Sequence, residues 1–144
     1  KQITKIPKNV DKTITKIANL LLNSKKPLLH LGQGVRLSGS VQKFESLINK
    51  FSIPFALTWN ASDLIASSNK NYVGRPGAFA ERGSNFIVQN CDVFLSIGSR
   101  LPFMVTGYNS KDFARKAKIV MIDIDSIMVV LQGQADTYTT SLLT

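Results

Sequence analysis

Apolar positions along the chain recur with two periods. Residues 28–31, Leu-Leu-His-Leu, form a short and mostly apolar run between Pro27 and Gly32, the pattern of a buried parallel strand that stops in a tight turn. Beyond that turn Val41, Phe44, Leu47, Ile48 and Phe51 return at steps of three and four, which predicts a helix with one apolar face, capped by Ser38 or Ser40. Upstream, Ile14, Ile17, Ala18, Leu21 and Leu22 define an amphipathic helix with Asp11 or Thr13 as its cap, ended by the polar residues before Pro27. Residues 1–10, broken by Pro7, read as a linker, and residues 11–144 as the domain.

The second half repeats the alternation. Residues 53–58, introduced around Pro54, predict a second strand running into Trp59; the polar residues 60–72 predict a loop with a short helix at Leu64 and Ile65. Gly74-Arg75-Pro76-Gly77 is turn chemistry and precedes a helix predicted over residues 78–90 from Phe86, Ile87 and Asn90. Residues 93–97 predict a third strand stopping at Gly98-Ser99-Arg100, residues 111–117 a helix, and residues 118–124 a fourth, fully buried strand. Strands spaced by βαβ-sized intervals imply an α/β fold, a Rossmann-like parallel sheet flanked by helices on both faces. Right-handed crossovers then bring the loops that follow the strands to one edge of the sheet.

Composition narrows the class. A chain of 144 residues with 44% hydrophobic content supports one domain with a real core. The net charge of +9 raises nucleic acid and acidic membranes as partners, yet the lysines at positions 1, 5, 8, 12 and 16 spread over the linker and the polar side of a helix without interleaved aromatics. A solvated face explains them, so no nucleic acid and no membrane partner is expected. Apolar runs such as residues 119–122 are too short to cross a bilayer and the N-terminal stretch has no signal-like apolar segment, from which a cytoplasmic location is expected. The lone Cys91 excludes an intrachain disulfide and is expected to pack at a helix end.

Candidate chemistry is sparse. The turn Gly32-Gln33-Gly34 after the first strand is either a tight turn serving the fold or a place where glycine lets the backbone approach a phosphate. Its third fingerprint glycine is absent, Leu37 standing there. His30, alone in an apolar strand, is expected to be a hydrogen-bonded core imidazole rather than a base. Asp123 and Asp125 alternate at a strand end and face opposite sides, so either suits a cap or a hydroxyl-binding acid and the pair suits no metal.

Taken in order, residues 27–36 (Pro-Leu-Leu-His-Leu-Gly-Gln-Gly-Val-Arg), Ser38-Gly39, Gly74 and Gly77, residues 90–100 (Asn-Cys-Asp-Val-Phe-Leu-Ser-Ile-Gly-Ser-Arg), Thr106-Gly107 and residues 113–126 form an ordered set. Over about residues 10–126 this set resembles the central domain of thiamine-diphosphate enzymes of the acetolactate synthase group, a Rossmann-like domain of the DHS-like NAD/FAD-binding type. The resemblance implies a pyrimidine-binding domain before this one and a diphosphate-binding domain after it. These carry the activating glutamate and the Gly-Asp-Gly motif for magnesium, and this chain has no Gly-Asp pair. Thiamine diphosphate and Mg2+ would then sit on the other domains, in a homodimer or homotetramer acting on a 2-oxo acid such as pyruvate, and this chain alone would be inactive.

In flavin-containing members the loops after the first, third and fourth strands approach FAD. The matching residues are Gly32, Gln33, Gly34, Arg36, Gly98, Arg100 and Asp123, which makes FAD or ADP the nucleotide implied. Two stretches differ from the family pattern: Leu101-Pro102-Phe103-Met104 stands where Phe-Asp-Asp-Arg is common, and Gly77-Ala78-Phe79-Ala80 where Gly-Met-His-Gly is. The tail from Ile127 also lacks the usual charged helix. The alternative reading is a stand-alone nucleotide-binding or regulatory Rossmann-like module. Sirtuin-type deacylases share a related core, but the chain has no paired Cys-x-x-Cys motifs.

Overall fold

The computed structural model describes residues 10–123, 126–131 and 138–141. In chain order the elements are α1 (Val10–Leu22), β1 (Pro27–Leu31), α2 (Gln33–Leu37), α3 (Val41–Phe51), β2 (Phe55–Leu57), α4 (Arg82–Asn90), β3 (Val93–Ile97), α5 (Phe103–Thr106), β4 (Lys118–Ile122), β5 (Ser126–Leu131) and β6 (Tyr138–Ser141). Strand order is β2-β1-β3-β4-β5-β6, the first four parallel. The strand order reverses between β1 and β3, so the chain winds outward in both directions and puts helices on both faces. Leu29 pairs with Phe55 on one side and Leu95 on the other, and Leu95 with Val120, which aligns like residues across the sheet.

Alternation along the strands divides the core into two layers. Leu29, Leu31, Leu95 and Val120 pack with Ile17 of α1, Val35 of α2 and Ile48 of α3; Leu28, Phe94 and Ile119 pack with Val88 of α4, Val105 of α5, Phe113 and Ala117. Each fully buried leucine contributes about 1.5–3 kcal/mol, which is why a five-residue strand such as β1 holds its place. Cys91 lies in the second layer just after α4, as its position implied; burial pushes its thiol up to about 12, so it packs as a small apolar side chain.

The element boundaries differ from the pattern where tertiary contacts intervene. β2 is shorter than residues 53–58 because the Ile53 N–H closes the end of α3 on Ile48 O and Pro54 has no N–H to offer. α4 starts at Arg82 rather than residue 78, since the Asn85 side chain clamps Gly77 N and O and the Ala78 N–H donates to Met104 O. Of residues 111–117 only the first two are helical, in a single 3-10 turn (Ser110–Asp112), and residues 113–117 form turns, with Ala114 at φ 44°. On α1 the helix begins at Val10, so Asp11 lies in its first turn rather than capping it; Ile17 is buried while Ile14, Ala18 and Leu22 are exposed. Ser40 occupies the α3 cap position without a side-chain capping bond, its hydroxyl donating weakly to Ser38 O. The tail adds β5 and β6, both antiparallel, which the sequence pattern did not predict. Residues 1–9, Asp125 and the stretch 133–136 lie outside the described residues.

One polar staple joins the layers at the amino end of the sheet. The Asp92 carboxylate accepts the Ser24 hydroxyl and the N–H groups of Lys25 (2.7 Å) and Lys26 (3.0 Å). Burial works against its charge, but these hydrogen bonds outweigh burial and hold the carboxyl below its usual range. Asp92→Ala should therefore lower the unfolding free energy by roughly 2 kcal/mol. Urea titration at pH 7 checks it, and an unchanged midpoint contradicts it. The contribution is present above the unfolded carboxylate range and fades as acid protonates the folded group.

Candidate functional site

The carboxyl edge of the sheet, where the strand order reverses, is where an open α/β fold places ligands. Three successive turns are stitched together there. The Gly32 N–H donates to Ile97 O (2.9 Å), the Gly34 N–H to Gly98 O (3.0 Å), and the Gly98 N–H to Ile122 O (2.8 Å). The loops after β1 and β3 touch backbone to backbone: a Cβ on Gly34 would stand 2.7 Å from Gly98 Cα, and one on Gly98, at φ +63°, 2.7 Å from Val35 N. A Cβ on Gly32 would likewise meet Ser99 Cβ at 2.7 Å. These glycines have a structural reason that needs no ligand.

Of the residues matched to the flavin edge, Gly32, Gln33, Gly34 and Gly98 come together, while Arg100 and Asp123 stand at the ends of β3 and β4. Arg100 is exposed and Asp123 half-buried. Arg36 turns elsewhere, its Nη2 2.7 Å from Asp63 Oδ1, with the two side chains 39% and 72% exposed. The hydrogen bond from Arg36 holds the Asp63 carboxyl below its usual range. The start of α2 is partly spent as a phosphate donor, because the Gly34 N–H serves Gly98 O and the Val35 N–H serves Gly32 O. Behind this edge Gln33 Oε1 is buried without a hydrogen-bond partner among the described residues. An amide acceptor, a guanidinium and a carboxylate at neighbouring strand ends fit the hydroxyls and phosphates of a nucleotide; a glycine cradle does not carry that fit.

Two features escaped the sequence reading. His30 is fully buried, with Nδ1 3.2 Å from Ser96 Oγ and the Phe94 ring centroid 5.3 Å away, so the core imidazole expected there is half correct. Its Nε2 has no partner among the described residues, and burial lowers its pKa to about 4. The apolar run placed His30 in the core, but its pairing with Ser96 depends on the β1–β3 register. The second feature is a set of exposed aromatics at this edge: Trp59, beneath the Arg75 guanidinium at 5.7 Å, and Phe103 at the start of α5, stacked on Tyr108 at 5.5 Å. Aromatics set in polar loop sequence were the available signal. Among the described residues no three His, Cys, Asp or Glu side chains converge as a metal site, and no helix is long and apolar enough to cross a membrane.

Sheet order, two helical layers and stitched strand-end turns define a Rossmann-like α/β domain. The chain belongs to the thiamine pyrophosphate enzyme central domain family, whose model matches residues 14–138. It is 33% identical over 112 residues to a probable acetolactate synthase large subunit of Methanococcus aeolicus, covering 78% of this chain and 18% of that protein. It is 32% identical over 112 residues to the acetolactate synthase large subunit of Cyanidium caldarium, covering 78% and 19%. It is also 32% identical over 124 residues to 3D-(3,5/4)-trihydroxycyclohexane-1,2-dione hydrolase of Geobacillus thermodenitrificans, covering 81% and 19%. The chain thus spans about a fifth of the length of the curated relatives it matches.

Proposed function

We propose that this chain is the central domain of a thiamine-diphosphate-dependent enzyme of the acetolactate synthase kind, acting on a 2-oxo acid such as pyruvate. The observation that carries it is the match of the family model to residues 14–138, supported by acetolactate synthase large subunits among the relatives. In this reading thiamine diphosphate and Mg2+ are bound by pyrimidine- and diphosphate-binding domains outside the chain, the whole enzyme is a cytoplasmic homodimer or homotetramer, and this domain is inactive alone. The hydrolase relative, as similar as the synthases, favours a second outcome in which the same domain serves hydrolysis of a cyclic dione. Assay of the intact protein with pyruvate, thiamine diphosphate and Mg2+ separates the two: acetolactate formation supports the first, its absence removes it. Turnover by this chain alone overturns the assignment of catalysis to other domains.

The strand-end edge is proposed to take the nucleotide part of FAD, or ADP, through side chains. Gln33 Oε1 accepts from a ligand hydroxyl or amino group, Arg100 donates to phosphate, and Asp123 accepts ribose hydroxyls; Gly32, Gly34 and Gly98 hold the loops together, and Arg36 steadies the edge through Asp63. Arg100→Ala should weaken FAD or ADP by roughly tenfold to a hundredfold, the worth of a charge-assisted contact of about 1.5–3 kcal/mol. Calorimetric titration of both ligands into the wild type and the variant checks it. Equal affinities remove Arg100 from the site, and no heat from the wild type removes the nucleotide.

A further inference from the structure

The opposite end of the sheet holds a recess of about 480 Å3, within the size range of small-molecule sites. It opens between the two helical layers, below the first residues of β1 and β2, and owes nothing to the strand-end edge. Its floor is apolar by construction. Pro27 and Pro54 stand there, and neither has an N–H to offer. Its walls carry Phe51 from the end of α3 and Phe86 from α4, 56% and 69% exposed, large apolar surfaces that the described residues leave uncovered.

The polar groups around the recess favour an anion over a cation. Three of the helix-end carbonyls near it are engaged: Ile48 O receives the Ser52 and Ile53 N–H groups, Ile87 O receives the Cys91 N–H, and Phe86 O receives the Asn90 amide. Lys25 and Lys26 line the recess, no lining residue is acidic, and the Lys50 ammonium lies over the Phe51 ring at 5.4 Å. The rim is also preformed. Asp92 fixes the backbone of both lysines through their N–H groups, and the Asp92 N–H returns to Lys26 O at 3.1 Å, so the ammonium-bearing turn is held before any ligand arrives.

We propose that this recess binds a small amphipathic carboxylate, its apolar body against Phe51, Phe86 and the two prolines and its carboxylate at Lys25 and Lys26. Octanoate is the probe, titrated by calorimetry into the intact protein, with octan-1-ol as the uncharged control. The expected result is one saturable octanoate site per chain, with octan-1-ol at least tenfold weaker. Phe86→Ser and the paired Lys25→Ser and Lys26→Ser changes should each weaken octanoate at least tenfold. All three substituted side chains are exposed, so the variants should keep the wild-type melting transition, which circular dichroism verifies. Three results overturn the proposal: no saturable octanoate binding, as when another part of the polypeptide covers the recess; equal binding of octan-1-ol; or binding indifferent to both sets of substitutions.

Discussion

Gly98→Ala should lower the unfolding free energy by roughly 2–5 kcal/mol, a large part of what holds a domain of this size together. Two costs add. The residue sits at φ +63°, where an L side chain costs about 1–2 kcal/mol. The new methyl would also press on Val35 N at 2.7 Å and Gly34 Cα at 2.8 Å, backbone atoms that cannot turn aside, and overpacking adds about 1–3 kcal/mol. Gly39→Ala is the matched control: its φ is +67° but none of the described residues lies within 4 Å of the added carbon, so it should cost only about 1–2 kcal/mol. Urea denaturation of the two variants isolates the steric part. If Gly98→Ala costs no more than Gly39→Ala, the loops after β1 and β3 are not in contact in solution. The same reasoning makes a bulky residue at Gly34 a poor ligand test, because it would damage the fold before it met a phosphate.

Acid should destabilise the domain well before its carboxylates titrate. His30 is the chain's one histidine, and burial lowers its pKa from 6.5 to about 4. Between these values the unfolded chain binds a proton that the folded one refuses, so the unfolded state gains as pH falls. The His30 contribution should be flat above about pH 7, cost about 1.4 kcal/mol per pH unit below 6.5, and reach its full loss of about 3 kcal/mol near pH 4, where protonation of Asp92 begins to add to it. The orphaned Nε2 offers the protonated ring no acceptor, and Ser96 is the one hydrogen-bond partner that the described residues supply to the imidazole. His30→Gln should remove the slope between pH 6.5 and 4.5. Urea titrations across that range check both statements, and an equal slope in wild type and variant would assign the acid sensitivity to other groups.

A polar atom left unpaired in the core and an aromatic set in a polar loop look alike in one dimension, where neither has neighbours. For that reason His30 was legible as buried but not as half-satisfied, and Trp59 as the end of a strand but not as an exposed ring under Arg75. The candidate edge divides the same way. Its glycines announce tight turns locally, whereas the reason for three of them is the approach of two loops some 65 residues apart, which depends on how β1 and β3 pair. Arg36 was expected beside the nucleotide and instead meets Asp63, a carboxylate that no spacing rule pairs with it.

The sequence by itself determined the parts of this protein governed by short-range periodicity. β1, β3, β4 and the whole of α3 lie where short apolar runs between turn residues and three-and-four spacing put them, because each buries its own apolar positions regardless of partner. The ordered turns between them also sufficed to indicate the thiamine pyrophosphate enzyme family. Tertiary structure alone decided what depends on contacts between distant segments. Asn85 gripping Gly77 moved the start of α4, antiparallel pairing brought β5 and β6 onto β4, and Asp92 bound the turn before β1 to the end of α4. The physical reason is one of range: propensity acts over a few residues, while hydrogen bonds and backbone packing across the sheet act between residues that only folding makes neighbours.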